Sequence, residues 1–232
     1  MTEPTEPIRP NDLLAAIRTT RAIRRFTDEP VTDDELWTIL DAAQRGPSGG
    51  NVQPWQFLVL TEPEAKAAVG DVYRRAYDRY EAQLLASLPP FRSEEDEASF
   101  MRSARASRDL AEHMSTAPAI VCVLVPTGLD LTLHDDEGPL DIGQIWASVY
   151  PAVQNLLLAA RALGIGGTLT TVARVLHDDL RAAAGIPERY ELAAMVPLGR
   201  PKGSFSVPRR RPVGAVTHWN RWGEKREGPT AG

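Results

Sequence analysis

At 232 residues the chain is long enough to bury a sizeable core as one domain, and 43% hydrophobic with 25% charged residues excludes collagen-like, coiled-coil and disordered chains. Its 26 Lys plus Arg against 31 Asp plus Glu leave a formal charge of −5, so it has no global positive excess with which to track nucleic acid, and any anion must be held by a local cluster. No apolar run reaches the roughly 20 residues of a membrane-spanning helix, and an acidic, proline-containing start lacks the basic and apolar pattern of an export signal.

Residues 1–10 carry three prolines and no apolar period, and read as a flexible arm. Asn11 is placed to cap a short helix carrying Leu13, Leu14 and Ile17. A clearer start follows, where Thr32 and Glu35 have capping-box spacing and Leu36, Ile39, Leu40 and Ala43 recur at helical intervals until Gly46 and Pro47 stop the helix. A polar loop, residues 47–53, leads into a strand over residues 57–60. Residues 64–88 and 93–114 predict two charged helices split by Pro89 and Pro90, so that 71–115 forms a helical excursion or lid. Residues 119–125 are the most strand-like run, and their lack of alternation predicts burial on both faces. The single cysteine, Cys122, lies within that run, which forbids an intrachain disulfide and predicts a buried, inert thiol.

Trp146, Val149, Tyr150, Val153, Leu156, Leu157 and Ala160 predict a long, mostly apolar helix ending at Gly164. A short helix over 177–184, stopped by Gly185 and Pro187, and a final strand over 192–198 complete the core. Beyond residue 200 the chain is rich in Pro and basic residues. Trp219 and Trp222 read there as anchors of a tail, residues 201–232, that docks on another surface. The order of elements fits an α+β fold with one domain over residues 11–200.

Four arginines, Arg18, Arg21, Arg24 and Arg25, fall within eight positions. The guanidinium fork binds phosphate oxygens in pairs, so at least two of them converging on a phosphate is one reading. The other is a solvated basic turn pairing with Asp28 and Glu29. A second cluster, Arg209 to Arg211, can meet the first around one phosphate despite its distance in sequence. Ser48, Gly49, Gly50, Asn51 and Gln53 supply a hydroxyl, amides and close-approaching backbone, the mixture that the edge of a flat heterocycle requires; a plain Gly-rich connection is the alternative. Gly164, Gly166 and Gly167 lack dinucleotide-binding spacing. The four histidines show no metal spacing and no nucleophile elbow is present, as expected where a cofactor carries the chemistry.

Taken together, the arginine segment with the following Phe26 to Val31, the 47–57 loop, residues 148–156, residues 164–171, the exit at residues 196–201 and the tail's Arg-Arg-Pro resemble the nitroreductase family. The resemblance implies a mixed sheet flanked by helices, an intertwined homodimer, bound FMN, NADH or NADPH as donor, and a ping-pong cycle ending on small conjugated acceptors such as nitroaromatics or quinones. It also admits a specialist in reductive dehalogenation or flavin fragmentation, or a flavin-binding, storage or sensor protein without turnover. Carried over by position, Arg21, Ala22 and Arg24 with Arg210 hold the FMN phosphate end. Pro47, Ser48, Gly49, Asn51 and Gln53 lie along the ring, and Gly167, Thr168 and Leu169 approach it from the other side. Ser148 and Tyr150 line the substrate pocket. No protein side chain is assigned a catalytic role, no metal site is expected, and the implied setting is cytoplasmic, without nucleic acid or membrane. The usual opening Arg-Arg-Ser-x-Arg is here Thr20, Arg21, Ala22, Ile23, Arg24, so its first Arg and its Ser hydroxyl are missing.

Overall fold

Strand β2, Ala119–Pro126, is the middle of the fold, and each of its residues up to Val125 is buried. In this computed structural model, which describes residues 10–128, 133–136, 138–140 and 144–226, β2 lies between β1 (Gln56–Leu60) and β6 (Tyr190–Gly199), antiparallel to both. A two-residue strand, β5 (Gly166–Gly167), completes the order β1-β2-β6-β5. Alternation is missing from the sequence of β2 because helices cover both faces of the sheet. Ala119, Val121, Val123 and Val125 enter one core with α2 (Asp33–Gln44) and α5 (Gln144–Ala162); Ile120, Cys122 and Leu124 enter a second core on the other side.

That second core explains why the excursion is narrower than residues 71–115. Helices α3 (Pro63–Ala86) and α4 (Glu94–His113) form the expected hairpin, but Val72, Tyr73, Ala76 and Tyr77 at one root and Leu110 and Ala111 at the other are buried against the sheet. The charged remainder stands out from it. Its helices are tied by Arg108, which pairs with Asp78 and Glu81 and lies 4.8 Å over the Tyr77 ring.

The capping box is present in full: Thr32 Oγ1 accepts from the Glu35 N–H at 3.3 Å, and the Glu35 carboxylate accepts from the Thr32 N–H at 3.0 Å. Helix α2 ends before Gly46, where a Cβ would come within 2.8 Å of the Ala152 backbone on α5. Helix α6 (His177–Ala184) is closed by Gly185 in the left-handed region, φ 63°. Helix α1 (Pro10–Thr19) starts two residues earlier than a cap at Asn11 requires, because Pro10 suits the first turn of a helix. Two short strands, β3 (Leu133–Asp135) and β4 (Gly138–Leu140), pair with each other between β2 and α5. The arm at residues 1–9 and the last six residues of the tail lie outside the described residues. Among the described residues no helix is long and apolar enough to cross a membrane.

Candidate active site

The arginine segment is held by backbone pairing at two points. Ala22 bridges Gly167, with the Ile23 N–H donating to the Gly167 carbonyl at 3.0 Å, and Phe26 bridges Pro201. This sets residues 21–26 beside β5 and the exit of β6. Ile23 turns inward and is buried, which leaves Arg21, Arg24 and Arg25 on the outer side. Both glycines of β5 are needed for this approach: a Cβ on Gly166 would meet Ile23 Cβ at 2.8 Å, and one on Gly167 would meet Leu198 Cδ2 at 2.8 Å and the Pro197 carbonyl at 3.0 Å.

Arg21, Ala22 and Arg24 line one recess together with Arg209 and Arg210 of the tail and Ser99 and Ser103 of α4. Clusters separated by about 185 positions therefore meet, as the difference between Arg21 and Ser206 in a direct bond also shows: Arg21 Nη1 donates to Ser206 Oγ at 2.7 Å. The pairing of the segment with Asp28 and Glu29 does not form. Arg25 instead binds Asp109 at 2.6 Å, and Glu29 is taken by Arg200, which also pairs with Glu35. Arg24 is half-buried and, among the described residues, has neither a hydrogen bond nor an ion pair. Burial lowers the proton affinity of its guanidinium; Tyr73 and Tyr77 oppose that effect and Arg21 adds to it. A partly desolvated cation with no acidic partner is a seat for an anion.

Arg24 also borders a second, aromatic pocket formed by Tyr73, Tyr77, Tyr80, Phe100, Thr168 and Leu169. Tyr73 shares a 3.0 Å hydrogen bond with Thr170 Oγ1, and burial raises its phenol above the ordinary tyrosine range. Burial first and then Glu81 push Tyr77 up to about 12. Both phenols therefore stay protonated and neutral near pH 7. The two tyrosines, one helical turn apart, and the two serines of α4 were not legible as site residues; the i, i+4 spacing is the signal that could have found them.

The 47–53 loop is rigid. Gly50, Asn51 and Gln53 have φ of 58°, 56° and 48°, the left-handed region that non-glycine residues adopt at a cost. Hydrogen bonds hold that conformation: the Gly49 N–H donates to Ser148 Oγ at 3.2 Å, the Gln53 N–H to Ser48 Oγ at 3.0 Å, and Gln53 Nε2 to Asn51 Oδ1 at 3.0 Å. Trp55 Nε1 donates to Gln44, and Gln44 Nε2 to Gln53, both at 2.7 Å. Ser148 is thus buried beneath the loop, whereas Tyr150 is exposed on α5 and stacks on Trp146 at 5.7 Å. Neither the arginine recess nor the aromatic pocket is lined by any residue of the loop.

The chain is 27% identical over 205 residues to the NADH dehydrogenase of Thermus thermophilus, covering 86% of this chain and 91% of that protein. The fold matches oxidised iodotyrosine deiodinase, crystallised with FMN and 3-iodo-L-tyrosine, with a TM-score of 0.68 at 22% identity, covering 90% of this chain and all of the other. It matches the NADPH:FMN oxidoreductase of Vibrio harveyi, crystallised with NAD+, with a TM-score of 0.66 at 19% identity, covering 93% and 80% of the two chains. The nitroreductase family model matches residues 17–200, a stretch that contains the arginine segment, the rigid loop and β5, and this chain belongs to the nitroreductase family.

Proposed function

We propose that the chain is a cytoplasmic FMN-dependent oxidoreductase that takes hydride from NADH or NADPH and reduces small conjugated acceptors, nitroaromatics or quinones, in a ping-pong cycle. The observation that carries the reading is the meeting of Arg21, Arg24 and Arg210 in one recess beside β5. The residues present fit FMN: Arg24 lacks an acidic partner, Arg21 and Arg210 add charge for a phosphate, and Thr168 and Leu169, next to Gly167, line the adjoining pocket that Arg24 also borders. Bound FMN supplies a flavin that accepts hydride and hands electrons on. The chain's own part is to bind the phosphate end, to offer positive charge and N–H groups where negative charge develops, and to shape the acceptor pocket with Tyr73, Tyr77 and Phe100.

The domain reading is a single FMN-binding unit over residues 11–200, with the 201–232 tail reaching over a second copy. Two features support a homodimer. Leu13, Leu14, Ile17 and Trp37 are exposed, and Trp222, which stacks on His218 of the same tail, is 90% exposed, so this anchor has no seat on the body of its own chain. The rigid loop, whose Pro47, Ser48, Gly49, Asn51 and Gln53 are assigned to the flavin ring, does not line the arginine recess of its own chain. A second subunit supplies both the missing seat and the missing wall.

The test is an anaerobic visible spectrum of the protein with FMN, before and after adding NADH and, separately, NADPH. Bleaching of bound flavin establishes the reductive half-reaction and the preferred donor. A bound flavin that stays oxidised with both donors supports instead a binding, storage or sensor role. Product analysis then separates nitro or quinone reduction from reductive dehalogenation and flavin fragmentation.

A further inference from the structure

We infer that α4 supplies the hydroxyl donors of the phosphate seat, through Ser99 and Ser103, so that the hairpin is part of the cofactor site as well as its cover; this rests on the FMN reading above. Ala22 offers no hydroxyl to the recess, and its neighbours there on the segment are arginines. Ser99 and Ser103 lie one turn apart on α4, so both face the same way, toward Arg21, Arg24 and Arg210. Two ion pairs tie α4 to the tail and to the arginine segment. Arg209 of the tail binds Glu95 near the start of the helix, and Arg25 binds Asp109 at 2.6 Å near its end.

The hydroxyls are free for the task. Thr19, Thr20 and Thr38 each donate to the carbonyl four residues earlier in their helices, the usual fate of a helical hydroxyl. Among the described residues neither Ser99 nor Ser103 makes such a bond or any other. Arginine forks neutralise a phosphate dianion, while serine O–H groups donate to the oxygen positions the forks leave open. Phosphate bound there links three separate parts of the chain: the segment after α1, the tail and α4. The outer part of the hairpin is then fastened by the cofactor's phosphate, and a flavin lacking it leaves the Ser99 and Ser103 turn without that tie, while Leu110, Ala111 and the Arg108 pairs still anchor the root of α4.

The experiment compares FMN with riboflavin on the full-length protein, by flavin fluorescence quenching, for the native chain, Ser99→Ala/Ser103→Ala and Ser99→Thr/Ser103→Thr. Alanine is at least as good a helix former as serine, so a change in binding does not reflect loss of α4. The expected result is native preference for FMN and an FMN Kd raised about tenfold or more in the alanine variant, the scale of losing hydrogen bonds to a charged group. Riboflavin binding stays unchanged, and the threonine variant keeps the preference for FMN. In the native chain, FMN and not riboflavin slows amide exchange over residues 95–106. An alanine variant with the native FMN-to-riboflavin ratio overturns the inference. A native chain that binds both flavins equally refutes the phosphate seat, and one that binds neither refutes the flavin reading itself.

Discussion

The Ile23 N–H donates to the Gly167 carbonyl at 3.0 Å, and the Ile23 side chain fills the space that a Cβ on Gly166 would occupy. This one contact joins a segment just after α1 to a strand about 140 residues later, and it fixes where the arginines stand. Gly166→Ala forces Ile23 outward and is expected to cost about 1–3 kcal/mol, as overpacking does. It should weaken flavin binding in parallel. Adding Ile23→Ala should recover part of the cost. Thermal melts of the two single variants and the double variant check this, and strict additivity would count against it.

Arg24→Ala combined with Arg210→Ala should weaken FMN binding by about a hundredfold or more, since each charge-assisted phosphate contact is worth roughly 1.5–3 kcal/mol. The circular dichroism spectrum should be unchanged, because neither side chain enters the hydrophobic cores. Full retention of FMN by the double variant would sink the site assignment.

Glu35 accepts from the Thr32 N–H and pairs with Arg200, and these contacts, the Thr32 bond foremost, hold its carboxyl below the ordinary 4.5 against the opposing effect of burial. A folded-state pKa below the unfolded one adds stability that is complete above about 4.5 and is lost as pH falls through the lower, folded value. Glu35→Gln should therefore cost about 1 kcal/mol at pH 7. That difference should shrink as pH falls from 7 to below 4.5. Urea midpoints of both proteins at the two pH values test the sign; a difference that grows on acidification contradicts it.

Leu14 is exposed on α1 beside Leu13 and Ile17. If that face meets a second copy, Leu14→Glu should shift sedimentation from dimer to monomer at micromolar concentration and lower flavin occupancy with it. A native chain that sediments as a monomer under the same conditions would remove the basis for a composite site.

The parts of the fold legible in the sequence are those fixed by local chemistry. The Thr32 and Glu35 spacing specifies its own pair of hydrogen bonds, Gly185 marks its helix end by a left-handed φ, and the short, valine-rich apolar run of residues 119–125 reads as a strand covered on both sides. The site divided along the same line. That arginines at both ends of the chain share a recess was open in the sequence as one possibility, but the backbone bridge that brings it about depends on Ile23 and Gly166 touching across about 140 residues, which no local pattern encodes. The rival pairing with Asp28 and Glu29 was equally reasonable locally. It fails because Asp109 and Arg200, brought in by the tertiary fold, take Arg25 and Glu29 first. The tail's tryptophans read from sequence as residues that need a surface, and no sequence pattern says whose.

The separation of the rigid loop from the arginine recess within one chain has a consequence for mixtures of mutant chains. With composite sites, a subunit damaged at Arg24 and a subunit damaged in the loop assemble into a dimer whose two sites are unequal: one carries both lesions and the other carries neither. Two inactive proteins, unfolded and refolded together, should therefore regain up to a quarter of native activity if half the dimers are mixed and each has one intact centre, an order-of-magnitude expectation from random pairing in closed two-fold assembly. Chains with self-contained sites have no such route back.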